Sequence, residues 1–161
     1  MLLYILRHGK AGTREEWHGD DAARPLTDEG KQRTQAVLEA LRDKKKLEVE
    51  AIWTSPLVRA RQTAEIAGQV LGVQVSTLGA LACGATLASL QAALRKKAPL
   101  PESVMLVGHE PDCGALIGEL AGDPQGDYTL KKAGIAALKG RFETGGMVLK
   151  WKLAPKDVIE D

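Results

Sequence analysis

Cysteine is scarce in this chain: Cys83 and Cys113 are the only two among 161 residues. Two cysteines without a C-x-x-C spacing build neither a disulfide framework nor a thiolate metal cage, and such usage is expected in a reducing cytoplasm. Neither is followed six residues later by arginine, since Ser89 and Glu119 hold those places. A cysteine-based loop that cradles phosphate is therefore excluded, and both cysteines read as small apolar fillers. Long apolar runs are lacking as well. None reaches the roughly 20 residues of a membrane span. The short one at the start is interrupted by Arg7, and no small-residue cleavage site follows, so no secretory signal is expected. An excess of charge of one sign is also missing: 22 basic against 21 acidic residues leave a formal net charge of +1. That removes the general electrostatic case for a nucleic acid or a membrane as partner. The local run Lys44 to Lys46 falls where a helix should end and reads as cations complementing its dipole. What is present is a 44% apolar composition, enough to fold residues 1–161 as one domain of ordinary size around a sizeable core.

The first ten residues organise the rest. Leu2 to Leu6 is a continuous apolar run, read as a buried central strand of a parallel sheet. Arg7, His8 and Gly9 follow where ligands bind in open α/β sheets, outside the carboxyl ends of the strands. Gly9 lets backbone approach whatever sits on the histidine. A charged loop, Lys10 to Leu26, leads to Thr27 as the N-cap of a helix running to about Asp43, with Thr34, Val37, Leu38 and Leu41 inward. Ala51 to Thr54 is a second strand. Ser55 and Pro56 read as the cap and first position of a helix whose Ala60, Ala64, Ala67 and Leu71 line one face and whose end is Gly72. Val73 to Thr77 is a third strand and Thr86 to Lys97 a third helix. Ser103 to Val107 is a fourth strand, followed by Gly108, His109, Glu110 and a helix that opens at Pro111 and stops at Gly122. Ile135 to Leu138 and Met147 to Leu153 form a hairpin whose second strand alternates apolar and polar residues. The alternation implies one wet face and a place at a sheet edge. The expected fold is α/β: a three-layer sandwich with a mostly parallel central sheet flanked by helices and a C-terminal antiparallel edge hairpin.

Two strands thus end in a histidine, and a third opens a helix carrying Arg59 four residues after Ser55. If these strands are neighbours, two arginines, two histidines and a helix N-terminus meet, a setting suited to a phosphoryl group. Arg7 and Arg59 can hold phosphoryl oxygens bidentately. A neutral imidazole can attack phosphorus, and nearby guanidinium charge keeps it unprotonated. The other histidine, if protonated, donates to an oxygen. The residues alone do not say which of His8 and His109 attacks. A zinc site of His8, His18 and His109 is the competing reading, and the adjacent arginines, which would repel a cation, speak against it.

Leu6-Arg7-His8-Gly9 resembles the Arg-His-Gly motif of the histidine phosphatase superfamily, the phosphoglycerate mutase-like fold. Thr54 to Ala64, reading Thr-Ser-Pro-Leu-Val-Arg-Ala-Arg-Gln-Thr-Ala, resembles that superfamily's second motif, and Val107-Gly108-His109-Glu110 its third. The resemblance implies that His8 is the nucleophile and becomes phosphohistidine, and that Arg7, Arg59 and His109 form the phosphate pocket. Within the superfamily the chain is most similar to the small SixA-type protein histidine phosphatases, in overall length, in Asp21-Ala22-Ala23-Arg24-Pro25-Leu26-Thr27 and in Ala82-Cys83-Gly84. That similarity implies Asp21 and Arg24 as substrate-side residues. Gly9, Ser55 and Glu110 belong to the same expected substrate-binding set.

One departure bears on substrate. Mutases and many phosphatases of the superfamily carry an acidic residue shortly after the third strand as general acid, and Leu78 to Ser89 contains no carboxylate. An alkoxide leaving group needs that proton, whereas a phosphorylated imidazole has a labile P–N bond and a ring that protonates easily. The expectation is therefore a phosphohistidine phosphatase that needs no cofactor or metal. Its partner is a phosphohistidine-bearing protein or a small phosphorylated substrate, and phosphate or sulfate is the anion expected in the pocket. The alternatives are a small-molecule or sugar-phosphate phosphatase using Asp21, Glu15 or Glu110 as acid, and a non-catalytic phosphate-binding module.

Overall fold

The computed structural model describes residues 1–159. Six strands form one sheet in the order β3-β2-β4-β1-β5-β6: β1 Leu2–Arg7, β2 Ala51–Thr54, β3 Val75–Thr77, β4 Ser103–Gly108, β5 Ile135–Gly140 and β6 Met147–Leu153. Neighbours among β3, β2, β4 and β1 are parallel, whereas β5 runs antiparallel to β1 and β6 antiparallel to β5. Side-chain alternation along the central strands makes two cores. Leu3, Ile5, Trp53, Val104 and Leu106 join one, Tyr4, Leu6, Ile52, Met105 and Val107 the other.

Helices α1 (Asp28–Asp43) and α2 (Val58–Leu71) cover the second core through Val37, Leu38, Leu41, Ala60, Ala64 and Ala67. Helices α3 (Leu87–Arg95) and α4 (Asp112–Leu120) cover the first through Leu87, Leu90, Leu94, Leu116, Ile117 and Leu120. The result is the expected three-layer sandwich. Local chemistry sets the helix ends. The Thr27 hydroxyl accepts from the Gly30 amide at 2.9 Å, Thr86 and Ser89 form a reciprocal capping box, and Gly72 closes α2 at φ 67°, a left-handed conformation that glycine adopts without strain.

Two local expectations are corrected. Ser55 does not cap α2: the helix begins at Val58 with Leu57 as its N-cap, and the amide the Ser55 hydroxyl accepts from is that of Leu57, ahead of the first helical residue. The alternation along β6 does not mark one wet face. A register shift opposite Ala137 and Leu138 turns the strand over. Met147 and Leu149 reach one core, Trp151 and Leu153 the other, while the β5-β6 hairpin forms the sheet edge as expected.

Candidate active site

The order β2-β4-β1 puts three carboxyl strand ends side by side. Thr54 pairs with Val107, and Arg7 with Gly108. The residues that follow, Ser55, His109 and His8, therefore converge. The His8 and His109 rings lie 5.2 Å apart between centroids, tilted by 58°. Together with Arg7, Arg24, Arg59 and Glu110 they line a cleft of about 370 Å³. A larger open depression of about 940 Å³ at the opposite end of the strands contains none of these groups.

Backbone and side chains hold His8 from several directions. Its amide donates to the Gly108 carbonyl at 3.1 Å, and its own carbonyl accepts from Ala133 at 3.1 Å. Its Nδ1 is 2.7 Å from the Gly9 carbonyl, which can only accept. Nδ1 therefore carries the hydrogen, and Nε2 keeps its lone pair. The pKa of His8 is lowered to about 3, first by burial and then by the nearby His109, Arg59 and Arg7, while the Gly9 contact opposes the shift. Desolvation, more than the guanidinium charge expected from sequence, keeps this imidazole neutral.

His109 is also buried, and its pKa is lowered to about 4, again by burial first and by Arg59 next. Its Nε2 is 2.7 Å from Ser55 Oγ. That oxygen also accepts from the Leu57 amide at 3.2 Å, and Nε2 is the one acceptor within reach of the buried Ser55 hydroxyl among the described residues; with the hydroxyl donating to Nε2, the ring hydrogen sits on Nδ1. Nδ1 is buried and unpartnered, as is Nε of Arg7. The other side of the Arg7 guanidinium donates to the Leu130 carbonyl at 2.8 Å. Two residues that line the cleft thus each hold a buried donor without a partner, near the unprotonated Nε2 of His8, a set that anionic oxygens would satisfy.

Arg59 is buried and oriented by Asp21, whose carbonyl and carboxylate accept from it at 2.9 and 3.3 Å. Arg24 donates to the same carboxylate at 3.0 Å and also to the Gly12 carbonyl. The Arg24 hydrogen bond, followed by the charges of Arg59 and Arg14, holds the Asp21 carboxyl below its usual value. Asp21 therefore stands behind the arginines as a clamp and is a poor proton donor. The Glu110 carboxylate accepts from the amides of Gly114 at 2.9 Å and Leu130 at 2.6 Å, fastening the segment before β5 to α4. Gly9 is packed against α1, where a Cβ would meet Thr34 Oγ1. The backbone at Gly9 thus comes close to a helix. Asp112 accepts from Gly84 at 2.8 Å and Ala85 at 3.2 Å, so the loop after β3 is tied down beside the cleft.

Some neighbours were not foreseen. Thr63 Oγ1 accepts from the Gly9 amide at 3.1 Å and donates to the Arg59 carbonyl at 2.8 Å, linking both motifs. Cys83 is exposed and lines the cleft, so it is no core filler. Cys113 is one, buried with its thiol pKa pushed up by desolvation. Lys132 also lines the cleft. Its signal was topological: a strand antiparallel to β1 must start at the rim where β1 ends. Among the described residues, no three His, Cys, Asp or Glu side chains cluster as metal ligands would.

Comparison with known proteins agrees with this geometry. The family model "Histidine phosphatase superfamily (branch 1)" matches residues 3–82. An uncharacterized protein of Picosynechococcus sp. is 41% identical over 142 residues, 86% of this chain and 85% of that protein. Phosphohistidine phosphatase SixA of Escherichia coli is 30% identical over 162 residues, covering 96% of this chain and 94% of the relative. The solved structure of the protein histidine phosphatase SixA complexed with tungstate superposes with a TM-score of 0.82 at 27% identity, over 99% of this chain and 100% of the other.

Proposed function

Because the chain belongs to the histidine phosphatase superfamily, we propose that it hydrolyses phosphohistidine on a protein through a covalent intermediate on His8. His8 Nε2 attacks phosphorus in line as the P–N bond to the substrate imidazole breaks. The substrate ring, protonated on its far nitrogen, leaves neutral. Water then attacks the phosphorus on His8, the second P–N bond breaks, and phosphate departs with His8 restored. Arg7, Arg59 and the Nδ1–H of His109 hold the equatorial oxygens throughout. The arriving anion favours the charged form of both histidines, offsetting part of their desolvation.

One observation carries the substrate class: Asp21, Glu110 and Asp112, three of the carboxylates in and around the cleft, are already engaged. Asp21 is bound to guanidinium groups, and Glu110 and Asp112 to backbone amides. Nothing among them is poised to protonate an alkoxide. Glu15 is the specific reason to keep a second reading, since it lines the cleft and is exposed. As a general acid it would turn the same pocket toward sugar or other phosphate monoesters.

A side-by-side assay of a phosphohistidine protein, a phosphoserine peptide and a sugar phosphate separates the two. The phosphohistidine protein is expected to lead in kcat/KM by at least about 100-fold, the span a missing general acid leaves open. Glu15→Gln should not change that lead, and His8→Ala should abolish turnover. Acid-labile, alkali-stable phosphate should appear on the protein during turnover. A sugar phosphate hydrolysed best, with the activity lost in Glu15→Gln, would select the monoester reading.

A further inference from the structure

A second cleft shares a wall with the catalytic one. It measures about 410 Å³ and is lined by Arg7, Arg33, Lys131, Lys132 and Lys156, with Ala154 and Pro155 as its apolar part. Arg7 and Lys132 line both clefts. On a chain of net charge +1 this is a local concentration of cations, and among the described residues no carboxylate lines it. Lys131, Lys132 and Lys156 are exposed and enter no ion pair among the described residues. Of the nearby acids, Asp157 accepts from the Ala154 amide at 2.8 Å, and Asp127 from the Thr129 amide at 3.0 Å.

The backbone fixes this groove to the nucleophile. The Arg7 amide donates to the Gly134 carbonyl, Gly134 to Lys131 and Ala133 to His8, so the lysine pair is pinned beside the phosphate pocket. On the other wall, Lys156 lies in the short 3-10 turn Pro155–Asp157 that follows β6.

We propose that this groove docks acidic side chains that flank the phosphorylated residue of a protein substrate. The proposal rests on the protein-substrate reading above and extends it to recognition. Exposed lysines on mobile stems suit carboxylates spread over a protein face. A compact second phosphate on a small molecule is better held by a rigid guanidinium fork. Rim charges of this kind steer encounter and set partner preference, with an effect that salt screens.

The test uses two phosphohistidine peptides of equal length, one flanked by glutamates and the other by glutamines. Their binding to the His8→Ala protein is measured by fluorescence anisotropy. At low ionic strength the acidic peptide is expected to bind about 10-fold more tightly, in line with complementary rim charges. That advantage should fall below about 2-fold when Lys131→Glu and Lys156→Glu are added, and also in high salt. Equal binding of the two peptides, or an advantage that survives charge reversal, would overturn the proposal. A sugar bisphosphate that loses affinity on charge reversal while the peptides do not would also overturn it, assigning the groove to a second phosphate. Turnover of phosphoserine peptides with the same flanks by the unmodified protein reads the other question separately. If they are preferred, the phosphohistidine reading fails, while the acidic-flank advantage stands or falls on the binding data.

Discussion

At the scale of single residues, Ser55 shows how a motif position acquires its meaning. Read as a helix cap, it would satisfy an amide and no more. In the fold its oxygen accepts from Leu57 and its proton reaches His109 Nε2, which leaves the ring hydrogen on Nδ1 and turns a buried neutral imidazole into a donor at the cleft. Ser55→Ala removes that tautomer lock and strands Nε2 without a partner. Loss of one aligned donor to the transferring group is expected to lower kcat by about 100-fold, with a smaller change in KM. Stability should fall by about 1–3 kcal/mol, the cost of a buried group left unsatisfied. Steady-state kinetics beside a urea titration checks both, and an unchanged kcat would show that His109 is oriented by something else.

At the scale of elements, the contact between the turn after β1 and α1 is made by two absent side chains. A Cβ on Gly9 would meet Thr34 Oγ1, and one on Gly30 would run into the Lys10 carbonyl. The turn after β1 is thereby pressed onto the first turn of α1, where Thr27 in turn donates its amide to Lys10 at 3.0 Å. Gly30→Ala should cost about 1–3 kcal/mol, as overpacking does, and lower activity by moving the backbone next to His8. A shift in the urea midpoint at unchanged m-value, beside the kinetics, measures this, and a variant as stable and active as the parent would refute the tight contact. Elements whose ends carry their own chemistry were legible in the sequence: Thr27 as a cap, Gly72 as a stop, the apolar runs of β1 and β4 followed by Arg7-His8 and His109. Less legible was whatever depends on which strands are neighbours. The bulge in β6 keeps the sequence alternation while sending Leu149 and Trp151 to opposite cores. Lys132 reaches the cleft only because β5 runs antiparallel beside β1, and Thr63 became a link only once α2 was laid against the Gly9 amide.

At the scale of the whole molecule, the site is built at a thermodynamic cost that pH exposes. His8 and His109 have folded pKa values of about 3 and about 4 against an ordinary 6.5. Above pH 6.5 both are neutral folded or unfolded and add no pH dependence. Below it the unfolded chain takes up two protons that the folded chain refuses until the lower values are reached, so stability falls as pH falls. Each refused proton removes about 1.4 kcal/mol for every pH step of one below 6.5, so the pair should remove about 4 kcal/mol by pH 5. That is a large share of the roughly 5–15 kcal/mol that holds a domain together. Asp21 adds to the loss only in more acid solution, because its carboxyl is held below the usual carboxylate value by Arg24 and Arg59. The interval between pH 6.5 and 5 therefore belongs to the buried imidazoles. Urea unfolding at pH 7.5, 6 and 5 should show the decline, and His8→Asn should lose close to half as much, because one of the two protons no longer discriminates between the states. A stability that stays level across that interval, or a decline unaltered in His8→Asn, would mean that the two rings are solvated well enough to protonate where they stand, near the ordinary histidine value.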